Sequence, residues 1–225
     1  MRAQGATELS VSLGTPSLGQ CALRVDNFTG STVSVSYKAL PGDRPRSYGQ
    51  FVAIWQATII PWTEPPIAKM AIPEDSESGS VVLSNLSIVS ASYIVGFGTG
   101  PSLTTIAASA LVSAGGLLDA PTSVAIGINA IGSTSLSVHY RTLTGTLPQT
   151  YGHHVALWRG YASPYNAPKP LADVPVYGDS SEGDLAVNNV LLAIKTTYTL
   201  AYFTGKEVTS AAAILTFDTS SPPGA

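Results

Sequence analysis

Apolar and polar positions alternate in short runs along most of this chain, which is the period of a strand with one buried face. In Val33-Ser34-Val35-Ser36-Tyr37 the odd positions are apolar, and in Leu136-Ser137-Val138-His139-Tyr140 the even ones are, so these side chains are assigned to a core face. Strand-like runs fall at 21–27, 31–40, 48–56, 67–72, 79–86, 91–98 and 104–113. They recur at 122–129, 133–143, 151–159, 171–177, 183–192, 196–203 and 208–217. Clusters of Gly, Pro, Ser and Asp separate them and read as turns. No window sustains a 3.6-residue period, so helix is expected to be scarce. Seven short strands per set, with turn signals between them, predict an antiparallel two-sheet sandwich.

The second set of runs repeats the first. Tyr48-Gly49-Gln50-Phe51-Val52-Ala53-Ile54-Trp55 returns 103 positions later, from 48 to 151, as Tyr151-Gly152-His153-His154-Val155-Ala156-Leu157-Trp158. The same shift pairs Tyr37 with Tyr140, Lys38 with Arg141, Leu40 with Leu143, Gly42 with Gly145 and Pro45 with Pro148. A repeat of this length can close a core of its own. The expected organisation is all-β: an N-terminal strand arm at 1–20, a seven-stranded sandwich at 21–116, a second at 117–219 and a tail at 220–225. Within the arm, Glu8-Leu9-Ser10-Val11-Ser12-Leu13 alternates as an extra strand, expected to cover an edge of its own first domain or to reach a neighbouring subunit. The joint around Gly115-Gly116-Leu117-Leu118 is short, with both leucines available to pack between the domains.

Composition adds a surface to this picture. Only 11% of residues are charged, against about 25% in an average soluble domain, which suits an extracellular, adhesive or particle-associated protein. A net charge of −3 with 11 Lys+Arg spread thinly leaves no basic stripe, so nucleic acid is excluded as a partner. The longest apolar runs, such as 51–55, 190–194 and 211–215, are too short to span a bilayer. Met1-Arg2-Ala3-Gln4-Gly5-Ala6 has no apolar core of a signal peptide, so an extracellular or particle-surface location is expected without one. Cys21 alone forms no intrachain disulfide and, at a strand start, is assigned to a buried thiol.

In Ala120-Pro121-Thr122-Ser123-Val124, Ser135-Leu136-Ser137-Val138, the stretch from Tyr151 to Trp158, Leu191 to Tyr198, and Ala211-Ala212-Ala213, the second unit resembles a fibronectin type III domain. It is nearly as similar to a related immunoglobulin-like sandwich. The resemblance implies a tyrosine near the start of the sixth strand, a place filled by Tyr93 and Tyr198. Each follows an apolar anchor, Leu86 or Leu191, seven residues upstream. It also implies a recognition or spacer module, although a fold alone does not determine function.

The chain carries no Gly-x-Ser-x-Gly elbow, phosphate-binding loop, His-Glu-x-x-His or paired-Cys pattern. No nucleophile, base and orienting residue assemble from it, so the expectation is a non-enzyme without cofactor or metal. His153 and His154 are neighbours on one strand and point to opposite faces, which leaves His139 beside one of them as the remaining metal pair. The acidic turns at 73–79 and 177–184 lack the Asp-x-Asp-x-Asp-Gly calcium pattern and read as solvated. The segments after Trp55 and Trp158 are more informative, because both place an aromatic after a proline, at Pro61-Trp62 and Pro164-Tyr165. Prolines stiffen such a loop and lower the entropic cost of presenting a ring. The candidate partner- or ligand-binding set is Trp62, Glu64, Tyr161, Tyr165, Asn166 and Lys169. The alternative role for Trp62 and Tyr165 is to fold back over the end of their own sandwich.

The function read from these features is a structural or interaction protein, a subunit or surface component of a multimeric particle, filament or appendage. It self-associates or binds other protein subunits through residues 1–20. The alternative is a carbohydrate- or protein-binding recognition module using the two Pro/aromatic loops, with a glycan as partner.

Overall fold

Two short strands, β1 (Ser12–Leu13) and β2 (Ser17–Gln20), precede the first unit. That unit runs β3 (Ala22–Phe28), β4 (Val33–Lys38), β5 (Phe51–Trp55), β6 (Ala68–Ala71), β7 (Ser78–Leu83), β8 (Tyr93–Gly98) and β9 (Ile106–Val112). After β10 (Thr122–Ser123) the second unit repeats it as β11 (Ala125–Ile131), β12 (Ser135–Arg141), β13 (His154–Arg159), β14 (Ala172–Pro175), β15 (Glu182–Asn188), β16 (Thr197–Phe203) and β17 (Ala211–Ser220). The computed structural model describes residues 12–14 and 16–220. In each unit a three-stranded sheet, β3-β4-β7 or β11-β12-β15, faces a larger one containing β6-β5-β8-β9 or β14-β13-β16-β17, with antiparallel neighbours. The chain is therefore two tandem β-sandwiches.

The three-stranded sheets have one wet face, so β4 and β12 bury alternate residues. The central strands of the larger sheets do not alternate: β5 and β8 are buried at every position. One of their faces meets the unit's own core and the other meets the second unit. Phe51, Ala53, Trp55, Ile94 and Ile106 pack there with Leu143 of the second unit.

The repeated Tyr-Gly lies before the strand, not in it. Gln50 N–H donates to Pro45 O at 2.9 Å and His153 N–H to Pro148 O at 2.8 Å. Gly49 and Gly152 take φ of +69° and +74°. A proline thus opens a single helical turn and a left-handed glycine closes it. In the second unit this turn is α1 (Pro148–Tyr151). The runs expected from 48 and 151 accordingly become strand only at Phe51 and His154.

Tyr93 and Tyr198 sit at the start of the sixth strand, and their hydroxyls accept the N–H of Val89 at 3.0 Å and of Ala193 at 2.8 Å. This ties the preceding loop to the strand, as the tyrosine corner of such sandwiches does. Leu86 is buried, but Leu191 is 83% exposed and is not an anchor. Val190 takes its place: Val190 N–H bonds Thr134 O as Leu86 N–H bonds Ser31 O. Val190 lies eight residues before Tyr198 where Leu86 lies seven before Tyr93, so one residue inserted between anchor and tyrosine moves the seven-residue count onto Leu191.

β2 does not pair with the first unit. It extends the second unit's sheet along β17, with Gln20 opposite Ala213 and Ser17 opposite Thr216. β10 does the converse and pairs with β9, Ser123 lying opposite Ala108. The next backbone bonds match as well, Cys21 N–H to Ala212 O at 3.0 Å and Val124 N–H to Ala107 O at 2.9 Å. Each unit donates its entering strand to the other's last strand. Of the strand expected over 8–13, Ser12–Leu13 is seen as β1 on the far end of β17; residues 8–11, like the tail from 221, lie outside the described residues. Leu117 and Leu118 do not pack between the units but are 71% and 53% exposed. Backbone bonds hold that joint instead, Ser113 N–H to Leu117 O and Asp119 N–H to Leu111 O.

Candidate functional site

The repeated tryptophans position the Pro-rich loops. Trp55 Nε1–H donates to Glu64 O at 3.1 Å and Trp158 Nε1–H to Pro168 O at 2.8 Å, tying each loop back to its strand end. So held, each loop sends its aromatic across to the other unit. Trp62 is 8% exposed, donates to Thr144 O at 3.0 Å and lies 6.0 Å from the Tyr151 ring. Tyr165 stacks on Tyr48 at 5.6 Å, and the adjacent Ser163 hydroxyl donates to Pro41 O at 3.4 Å. Tyr48 and Tyr151 are equivalent residues, as are Pro41 and Thr144, so one contact is made twice. Gly42 and Gly145, at φ of +83° and +78°, face the incoming loops; a Cβ on Gly42 would lie 2.7 Å from Ser163 Oγ.

Polar groups are enclosed beneath these aromatics. Gln50 Nε2 donates to both Asp43 oxygens at 2.9 and 2.8 Å. Burial raises the Asp43 carboxyl above its ordinary range, a shift opposed by its hydrogen bonds from Gln50. The buried Tyr165 hydroxyl faces this carboxylate without reaching hydrogen-bond geometry, and burial keeps it protonated. The counterparts of Asp43 and Gln50 are Thr146 and His153. His153 Nδ1 shares a hydrogen bond with the Tyr202 hydroxyl at 2.9 Å. Burial, reinforced by the neighbouring His154, lowers His153 to about 3 and keeps the ring neutral.

The six candidate residues therefore divide. Trp62 and Tyr165 are committed to the seam, where each covers the other unit and not the end of its own. Glu64, Asn166 and Lys169 are exposed on the two loops, and Tyr161 is 83% exposed. His139 lies on the three-stranded sheet and pairs with Asp184 at 3.0 Å and Glu182 at 3.2 Å. His154 stacks on Phe203 at 4.4 Å. The structure does not bring His139 to either of the others, and among the described residues no three His, Cys, Asp or Glu side chains are placed to hold a metal ion.

The acidic turns have a structural task that sequence reading missed. Asp75 accepts the N–H and hydroxyl of Ser47 at 2.8 and 2.6 Å, and Asp179 those of Thr150 at 2.9 and 2.8 Å. These bonds lower both carboxyls and brace the turns that present Tyr48 and Tyr151.

Two further hollows flank the exchanged strands, and they too are equivalent. One, of about 390 Å³, lies between Leu18 of β2, Ile214 and Thr216 of β17, Pro41, and the loop residues Tyr161 and Ser163. Its mate, about 190 Å³, is lined by Thr58, Ile60, Leu111, Thr122 and Thr144. Neither was legible beforehand, because each has a wall that exists only through the strand exchange.

No family model matches the chain, and no curated protein matches it. Among solved structures it is similar to a chain described as "Biofilm associated protein - BSP domain", at 14% identity and a TM-score of 0.31, covering 95% of this chain and 30% of that one. It is also similar to the chicken CNTN1 FN1-FN3 domains, at 14% identity and a TM-score of 0.25, covering 83% of this chain and 56% of that one. The chain thus spans only part of both proteins, and at these scores the likeness assigns no role to it.

Proposed function

We propose that this chain is a non-enzymatic structural and interaction module, a subunit or surface component of a multimeric particle, filament or appendage. The observation that carries this reading is the reciprocal strand exchange: the body is itself assembled by adding strands from one unit to the sheet edge of another. The opposite ends of the two large sheets are β6 and β14, each paired with one strand among those described. An edge with open backbone groups and apolar side chains is a template for a further strand.

The two edges differ. β14 carries Asp173 and Pro175, residues that discourage strand addition. β6 exposes Met70 at 39%, and Ile67, just before the strand, is 52% exposed. Its one charge, Lys69, is turned back, 3.9 Å from the Phe51 ring centroid and bonded to Pro101 O at 2.7 Å. β6 is accordingly the docking edge, and an exposed particle surface is the setting this implies. The buried polar groups fit the same reading, since Asp43 and His153 are enclosed in the seam and not presented to a substrate. Sedimentation velocity over a concentration series tests it. The chain should self-associate, and Met70→Lys should abolish association without lowering the melting temperature. A monomer at every concentration, alone and with candidate partner subunits, would overturn the proposal.

A further inference from the structure

We propose that the hollow beside β2 is a binding site for an uncharged sugar, with Tyr161 as its stacking platform. Tyr161 is presented and not merely exposed. The backbone on both sides of it is clamped by one buried residue: Thr199 Oγ1 donates to Gly160 O at 2.8 Å and accepts the Ala162 N–H at 3.1 Å. Gly160 N–H adds a bond to Thr197 O at 2.7 Å, and its φ of +82° allows the turn. A ring fixed in this way loses little further freedom when a ligand settles on it, which lowers the cost of binding.

The duplicated unit shows that folding does not need this arrangement. In the first unit the counterpart of Tyr161 is Thr58, and the counterpart of Thr199 is Ile94, which has no hydroxyl to clamp a loop. The same backbone therefore folds with neither the platform nor its support. The equivalent hollow there is about half the volume, and none of the described residues that line it is aromatic.

The lining also selects the ligand class. Leu18, Pro41 and Ile214 supply apolar walls, and Ser17, Ser163 and Thr216 supply hydroxyls. A pyranose has one face of C–H groups, suited to a tyrosine ring, and a rim of hydroxyls suited to Ser and Thr. Among the described residues no carboxylate or cationic side chain lines the hollow, so a neutral sugar fits better than a sialylated or sulfated one. The volume lies in the range of small-ligand sites. This inference is independent of self-association, because a monomer would carry the site complete.

A glycan array of neutral and anionic oligosaccharides, followed by amide-shift titration with the strongest neutral binder, tests it. Resonances of Leu18, Gly160, Ala162 and Thr216 should shift together. Tyr161→Ala should weaken binding about ten-fold or more with an unchanged melting temperature, whereas Tyr161→Phe should retain it. Thr199→Val, which loosens the clamp but keeps the ring, should weaken binding by a smaller factor. A blank array with no shift at the solubility limit of the sugar would overturn the assignment. So would binding that is confined to anionic glycans or indifferent to Tyr161→Ala.

Discussion

Thr99 and Thr204, equivalent residues of the two units, meet hydroxyl to hydroxyl at 3.0 Å in a fully buried position. Equivalent atoms touch only where an axis relates their units, so this pair marks an internal two-fold. Around it the strand exchange and the crossing aromatics each occur twice. The seam has the form of an isologous dimer interface built within one chain.

The axis can be tested by removing its hydroxyls. Each threonine also reaches both the Thr105 and Ser210 carbonyls, at 3.1 and 3.3 Å from Thr99 and 3.2 Å to each from Thr204. Thr99→Val or Thr204→Val should cost about 1 kcal/mol, the net worth of a buried hydrogen bond. The double variant should cost less than the sum, because the shared bond is already lost in either single one. Urea melts would measure both, and strict additivity would show the hydroxyls to be independent.

The crossing aromatics should dominate the stability of the seam. Trp62→Ala removes a buried indole and its bond to Thr144 O, and a loss of about 3–5 kcal/mol is expected. Tyr165→Ala should cost less, because its ring is only partly buried and opening the seam there relieves the desolvation of Asp43. Denaturant unfolding followed by tryptophan fluorescence distinguishes the two. Equal losses would contradict the asymmetry.

His153 should make the protein sensitive to acid. Its folded pKa of about 3 lies below the ordinary value of 6.5, so between those values the unfolded chain binds a proton that the folded chain does not. Its contribution is complete above about pH 6.5 and is lost as pH falls toward 3, with a slope of at most about 1.4 kcal/mol per pH unit. Asp43 opposes this, because its raised carboxyl favours the fold at low pH and loses that contribution as pH rises through its folded value. His153→Gln, which installs the residue found at position 50, should flatten the acid limb of the profile. Asp43→Asn should steepen it and raise stability at neutral pH. Urea midpoints from pH 3 to 8 would show both effects.

Deleting residues 1–20 should leave β17 without its outer neighbours while β10 still covers β9. A lower melting temperature is expected, by roughly 2–4 °C for each kcal/mol lost in a chain of this size, together with aggregation through the bared edge. Scanning fluorimetry and size-exclusion chromatography would report these. An unchanged melting temperature would mean that β2 contributes nothing to the body.

The elements of each sandwich are legible in the residue pattern alone. Period-two alternation located β4 and β12, because one face of those strands is wet, and the duplication located everything with a counterpart. Tyr93 and Tyr198 were legible because the corner they make is local. Val190 was hidden by a single inserted residue, which shifts a counterpart without erasing the pattern.

What lies between the units emerges from packing in three dimensions. β5 and β8 read as continuous apolar runs because both faces are covered, but a run does not name what covers it. β2 and β10 are too short to carry a pattern that chooses an edge; the choice belongs to the open backbone groups of β17 and β9. Trp62 and Tyr165 stood out in their proline loops, yet their direction is set by where Trp55 and Trp158 anchor those loops and by Gly42 and Gly145 opposite. The hollow at Tyr161 has walls from residues 18, 41, 161 and 214, which no local pattern relates. They meet because the two-fold at Thr99 and Thr204 folds one copy of the repeat against the other.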